Sequence, residues 1–320
     1  MTIACRRVAR LVLPIMLAAG ALAPSIALAA DWAEPKFDPP VGSKWVVERQ
    51  LDVEKNRAGS IVGHTLKERA LLTIEAKTDS GFVVTYTRQS SSWEGDPAGA
   101  AVQRIAFQAL QGLAVRVDTD ASGKPLRIEN WDAVKSAMKD ALAAEPVSTA
   151  DPDKLARISE YTARMVAVDD KKAAELFLED LPTLAMGQNT DLKPGEVHKN
   201  TVPVANALSD TVTKTVMMSI GAADPEMGKV RYLLTETYDP GAMKELVAET
   251  SRELAVTNVS AGALDQAIKN STVSAVIRAE LSVEGGITRQ LRGNSIYSFR
   301  TPGSITVDRE DELVTVSPAE

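Results

Sequence analysis

Residues 118 to 129, DTDASGKPLRIE, carry the side chains whose spacing comes closest to a known chemistry. Asp118, Asp120, Ser122, Gly123 and Glu129 fall at positions 1, 3, 5, 6 and 12 of a calcium-loop pattern. A loop of that kind needs a helix on each side, so that its last carboxylate swings back onto the ion. The flanks here alternate instead. Leu113, Val115 and Val117 precede the stretch, and Leu126 and Ile128 close it, with polar residues between them. Two strands joined by a turn at 120 to 123 are expected. In such a hairpin Asp118 lies opposite about residue 125 and Glu129 opposite about residue 114. That separates the two carboxylates by roughly 13 Å, too far to share an ion. The expectation is a hairpin turn in which Gly123 takes a positive φ. Asp118 and Asp120 remain as the pair that a weak calcium site at its rim would use.

No other constellation reaches as far. His64 and His198 are the only histidines, and Cys5 is the only cysteine. A structural zinc site therefore lacks ligands. A Ser-His-Asp triad would have to use one of those two histidines, and no G-x-S-x-G elbow occurs. Both read as surface residues. Glu94 and Asp96 flank Gly95 beside Trp93, too close together to work as a glycosidase pair. Ser90, Ser91 and Ser92 have no base near them in sequence. Asp308, Glu310, Asp311 and Glu312 read as a solvated turn between two strands. Met186, Met217, Met218 and Met227 suit core packing, with a soft lipid pocket as their alternative role. No catalytic residue, no cofactor and no further metal ligand is expected.

The N-terminus is the most specific signal. Arg6, Arg7 and Arg10 precede an apolar run from Leu11 to Ile26, and Ala27-Leu28-Ala29 forms a small-x-small box. That is a secretory signal peptide, residues 1–29, with cleavage expected after Ala29 or Ala30 and a periplasmic destination. The run is broken by Pro14 and Pro24 and is too short for a membrane anchor, so no transmembrane segment is expected in the mature chain. The full chain has net charge −7. Its leader holds three of the 36 basic residues and none of the 43 acidic ones, which leaves −10. Such a balance excludes nucleic acid as a partner and disfavours an anionic membrane surface as the main one. Cys5 leaves with the leader, so the core alone must hold the fold.

Stepping outward to the elements, Pro35, Pro39 and Pro40 keep residues 30 to 42 irregular. Trp45, Val47, Leu51 and Val53 share one parity, as do Leu72, Ile74 and Ala76, and then Phe82, Val84 and Tyr86. These predict an antiparallel meander. Helices are predicted at 99–111, from Trp131, from Leu155 to Val168, and from Ala173 to Leu181. Strands return from Gly195. Asp239-Pro240 predicts an N-cap with proline at N1, opening a helix through Leu254. Val273 to Val283, Ile287 to Leu291, Ile296 to Phe299, Ile305 to Val307 and Leu313 to Val316 predict the last strands.

Residues 42–129 and 195–291 follow the same order of strands, helix and hairpin. The predicted fold class is therefore α+β: two similar curved antiparallel sheets, each crossed by a helix, with a helical insert between them. The first sheet plus insert would occupy 30–190, the second 191–320. The strand opening GSKWVVER and the repeated strand–helix–hairpin unit resemble uncharacterised secreted and periplasmic bacterial proteins. The leader, meander and helical lid are loosely similar to the outer-membrane lipoprotein carriers, whose half-barrels bind lipid. That resemblance implies a non-catalytic exported protein binding a lipid or other apolar small molecule on a curved sheet. A structural or protein-interaction role in the cell envelope is the alternative, and a hydrolase ranks last.

Overall fold

The structure, a computed structural model, describes residues 32–57, 60–95, 110–144, 163, 166–178, 190–203, 212–253, 266, 268–301 and 304–319. The predicted leader, residues 1–29, and nearly all of the predicted helices at 99–111 and 155–168 lie outside the described residues. The elements are β1 (Lys44–Arg57), β2 (Ser60–Lys77), β3 (Gly81–Gly95), β4 (Ala114–Asp120), β5 (Pro125–Ile128), α1 (Trp131–Ala144), α2 (Asp170–Phe177), β6 (Val197–Pro203), β7 (Thr213–Asp224), β8 (Lys229–Tyr238), α3 (Pro240–Glu253), β9 (Thr272–Glu284), β10 (Ile287–Thr301) and β11 (Ser304–Pro318).

The strands make one antiparallel sheet of eleven, in the order β5-β4-β3-β2-β1-β11-β10-β9-β8-β7-β6. The expected α+β fold of two sheets with a helical insert between them is overturned. The cause is the pairing of the first strand with the last. Trp45 through Arg57 lie opposite Pro318 through Thr306, and this long ladder fuses the halves. Period two fixes which face a residue takes but not which strand lies beside it. β1 to β5 and β6 to β10 each form a run of sequential neighbours, with β11 between the two runs.

Alternation explains the faces. On β2, His64, Leu66, Glu68, Ala70, Leu72 and Ile74 are buried while their neighbours are more open. Val314 and Val316 on β11, Leu281 and Val283 on β9, and Val230 and Tyr232 on β8 continue the same inner face. The outer face carries Glu48, Gln50, Asp52 and Glu54 on β1, and Lys67 and Arg69 on β2. Those charges suit water and not lipid tails. No helix among the described residues is long and apolar enough to cross a membrane. Asp239 caps α3 as its sequence predicts, accepting from the Ala242 amide at 2.7 Å. Asp169 caps α2 through the Lys172 amide at 2.8 Å, so that helix starts three residues before Ala173.

The proline-rich segment before β1 is a strap held against the sheet, with Phe37 and Pro39 buried. Trp32 Nε1 donates to the Leu192 carbonyl at 2.8 Å. The Glu34 carboxylate accepts from the Thr190 amide (2.9 Å), the Thr190 hydroxyl (2.6 Å), the Asp191 amide (3.0 Å) and the Tyr232 hydroxyl (2.8 Å). Phe37 meets Phe82 edge to face at 5.2 Å. Glu34 thus touches β8, and three residues later Phe37 touches β3. Six strand spacings separate those strands, about 29 Å if the sheet were flat. Three residues span only about 11 Å. Side chains supply part of the difference and curvature the rest, as a twisted sheet of this width curls.

Gly286, in the turn between β9 and β10, makes room for the strap. It sits at φ +78, and a Cβ there would lie 1.8 Å from the Lys36 carbonyl oxygen. Gly286→Ala is expected to cost about 2–3 kcal/mol through backbone strain and displacement of the strap. Urea unfolding followed by circular dichroism would read it. Gly42→Ala serves as the comparison, since its φ is +83 but nothing lies within 4 Å of the added carbon.

Candidate functional site: the inner face of the sheet

The inner face changes character along the strands. At the end near the strap it is apolar, built on Trp45, Val47, Leu72, Phe82, Val84, Leu281, Val314 and Val316. Farther along, the same parity brings charges inward. On β1, Arg49 and Lys55 share the face of Trp45 and Val53, and Lys55 is buried. On β11, Asp308, Glu310 and Glu312 share the face of Val314. Arg49 Nε donates to Glu312 at 2.5 Å, and the Tyr297 hydroxyl donates to Glu310 at 2.7 Å. Lys55 and Asp308 are direct cross-strand neighbours. On the second arm Lys214 donates to both oxygens of Glu236 at 2.8 Å.

The most enclosed charges lie on β2 and β3. Arg88 and Glu68 form an ion pair whose side chains are 7% and 2% exposed. The Tyr86 hydroxyl donates to the same Glu68 oxygen at 2.9 Å. The other oxygen, Oε2, is buried without a hydrogen-bond partner among the described residues. Tyr86 and Arg88 also form the polar wall of a cavity of about 20 Å³, otherwise lined by Leu110, Leu113, Val115, Ile128, Val134 and Leu178. That volume holds about one water.

Two apolar clusters stand apart from the main core. Leu51, Val53 and Leu66, with Trp93 against them, form one wall on β1 to β3. Val212, Met243, Val247, Ile268 and Val273, with Tyr238 and Phe299, form the other. Register places both toward the same end of the sheet, with Glu310 and Tyr297 on the strands between them. Burial and the hydrogen bond to Glu34 both push the Tyr232 hydroxyl well above the ordinary range of a phenol.

The residues singled out from sequence are scattered. Gly123 has φ +82, as the turn requires. The hairpin register differs from the expected one: Asp118 lies opposite Arg127, and the Glu129 amide donates to the Arg116 carbonyl. At Asp118 the pairing is two residues from the expected one, and a bulge between Asp118 and Thr119 contributes one of them. Asp118 accepts from Arg127 Nε at 2.5 Å on the outer face. Asp120 Oδ1 is turned onto its own loop, accepting from the Ser122 amide (2.8 Å), the Ser122 hydroxyl (2.6 Å) and the Lys124 amide (3.0 Å). Glu129 pairs with Arg116 at 3.2 Å. The three carboxylates thus face different partners. Among the described residues no three His, Cys, Asp or Glu are grouped to hold a metal ion.

Two readings are corrected. The acidic run at 308–312 is no turn but the middle of β11, with alternate residues aimed inward. His64 is buried, its ring 5.7 Å from that of Trp93. Glu94 is exposed and bound to Lys67 at 2.8 Å, while Asp96 lies outside the described residues. Met218 packs on the core, Met217 takes the opposite face and Met227 is exposed, so these three line no common pocket, and Met186 lies outside the described residues. Sequence reasoning missed Arg49, Glu68 and Arg88. Their signal was a charge at the parity of flanking apolar residues, as in Val47-x-Arg49-x-Leu51 and Leu66-x-Glu68-x-Ala70.

No protein-family model and no curated protein matches the chain. Among solved structures it is similar to a lipovitellin structure concerned with lipid–protein interactions, with TM-score 0.43 and 9% identity over 88% of this chain. The match covers 26% of that chain, so this protein spans about a quarter of the length of lipovitellin. It is also similar to an outer-membrane channel from Pseudomonas putida F1, with TM-score 0.20 and 7% identity, over 90% of this chain and 100% of that one. Neither likeness transfers a ligand or an activity to this chain.

Proposed function

We propose that this is an exported, non-catalytic protein that holds an amphipathic molecule of lipid type on the inner face of its curled sheet. The observation that carries the reading is the pair of apolar walls flanking a charged band at one end of the sheet. Hydrocarbon would lie along Leu51, Leu66 and Trp93 on one side and Val273 and Phe299 on the other. A polar end would meet the Glu310, Tyr297 and Lys55 side chains, which offer both donors and acceptors. This refines a purely apolar ligand into an amphiphile, because burying bare hydrocarbon against charged and polar side chains is unfavourable. Export rests on the leader, and the lack of catalysis on inner carboxylates bound to arginine, lysine and tyrosine. A second reading, an envelope interaction protein, is favoured by β6, which ends the sheet and exposes Val197.

Native mass spectrometry of the protein purified from its own host tests the carrier. A complex carrying one amphiphile, reduced to bare protein after solvent extraction, is expected. A bare protein that also takes up no lysophospholipid when offered would sink the carrier and leave the interaction reading.

A further inference from the structure

β10 steps out of register with β9 at a single residue. Thr288 lies opposite Val283 and Gln290 opposite Ser282, so Arg289 is left over as a bulge. A bulge re-aims the side chain it carries. Here the guanidinium lies over the Trp45 ring, 4.7 Å from its centroid. The indole is itself held in place. Trp45 is buried in the apolar end of the inner face, and its Nε1 donates to the Ser43 hydroxyl at 3.3 Å.

A guanidinium stacked on a ring uses its flat face and keeps its N–H edge for acceptors. At Arg289 that edge finds none among the described residues. Nη1 is buried without a hydrogen-bond partner, and the side chain makes no ion pair there. The other inner-face cations contrast with it. Arg49 is bound to Glu312, Arg88 to Glu68 and Lys214 to Glu236, and Lys55 lies opposite Asp308. Carboxylates are present at the strap end of the sheet, but they are held elsewhere. Glu34 accepts from Thr190 and Tyr232, Asp38 pairs with Lys77, and Glu284 lies 3.7 Å from Lys229. Burying a charged N–H without an acceptor is costly, so an acceptor from outside the chain accounts for the arrangement. Arg289 as a whole is half-buried, which lets a solute reach it.

We infer that Arg289, stacked on Trp45, binds one oxyanion group, a carboxylate or a phosphate, whose paired oxygens match the planar fork. This site lies at the strap end, apart from the charged band assigned above to the polar end of an amphiphile, and it stands without that reading. A free anion and the head of an acidic amphiphile present the same chemistry.

Isothermal titration of the protein secreted by its own host, with inorganic phosphate, acetate, decanoate and decanol, tests the site. One equivalent of an oxyanion is expected to bind, and decanol is expected to be silent. Binding of phosphate or acetate identifies a site for a free anion, and binding of decanoate alone identifies the head of an amphiphile. Arg289→Gln is expected to weaken binding about tenfold or more. Arg289→Lys should fall between, since an ammonium keeps the charge without the fork. Without ligand, Arg289→Gln should melt no lower than wild type, because it removes a charged donor that the chain leaves unsatisfied. Titrations in which no oxyanion binds, or in which Arg289→Gln binds as tightly as wild type, overturn the inference. So does an unliganded Arg289→Gln that melts several degrees lower, which would make the guanidinium part of the core through its stack on Trp45. A protein empty in native mass spectrometry that still binds phosphate would sink carriage and leave this site standing. A loaded protein that binds no added oxyanion would do the reverse.

Discussion

Arg88→Met is expected to destabilise the protein by about 3–5 kcal/mol, the range for removing one partner of a buried ion pair. Among the described residues the guanidinium is the cation bound to Glu68, whose side chain is 2% exposed. Without it the carboxylate keeps the Tyr86 hydroxyl at 2.9 Å and little else, since Oε2 already lacks a partner among the described residues. Stranding a charge in that setting costs more than the pair itself contributes. The double replacement Glu68→Leu with Arg88→Met is therefore expected to recover most of the loss. Urea unfolding of wild type, single and double variants would read this cycle at constant m-value. A single variant within about 1 kcal/mol of wild type would mean the pair is solvated. Lys67→Ala supplies the contrast. Its partner Glu94 is 65% exposed and its own side chain 50%, so water screens the pair and no measurable loss of stability is expected.

The same residues show how far a sequence can be read. Strands were legible where period two ran through apolar residues, as from Trp45 to Val53 and from Phe82 to Tyr86. They were lost where charge entered the inner parity. Asp308, Glu310 and Glu312 have poor strand propensity, so alternation there looked like a solvated turn. What makes them a strand is Arg49 and Lys55 on one neighbour and Tyr297 on the other, more than 200 residues and about ten residues away respectively. The pairing of β1 with β11 was illegible for the same reason, because nothing local to Trp45 or Val316 names its partner. The Gly123 turn and the Asp239 cap were legible because their physics is confined to a few consecutive residues. The hairpin around Gly123 was legible in kind but not in register, since the pairing of Thr119 with Pro125 and a one-residue bulge before it together place Arg127 where Pro125 was expected.

Glu34→Ala is expected to cost about 3 kcal/mol and to unseat the strap. Four hydrogen bonds end on that carboxylate, from Thr190, Asp191 and Tyr232. Bonds to a charged acceptor contribute about 1.5–3 kcal/mol each when taken singly, but they share one group and do not add. Two of the donors are backbone amides at 190 and 191, so their loss frees a loop as well as a side chain. The tyrosine supplies a readout that a general loss of stability would not give. Tyr232 resists ionisation because it is buried and because its proton bridges to Glu34. Its folded state favours the neutral phenol, so this stability is present below the ordinary phenol pKa of about 10 and is lost as pH rises beyond it. In wild type one tyrosine should titrate late in ultraviolet absorbance, and alkaline unfolding should begin above pH 10 or so. In Glu34→Ala that titration should move down toward the ordinary value, though not fully while burial persists. Glu34→Gln should fall between, keeping one acceptor oxygen. An alanine variant with an unchanged late-titrating tyrosine and wild-type urea resistance would mean that Trp32 and Phe37 hold the strap without the carboxylate. The curl of the sheet around Glu34 would then have to come from strand twist alone.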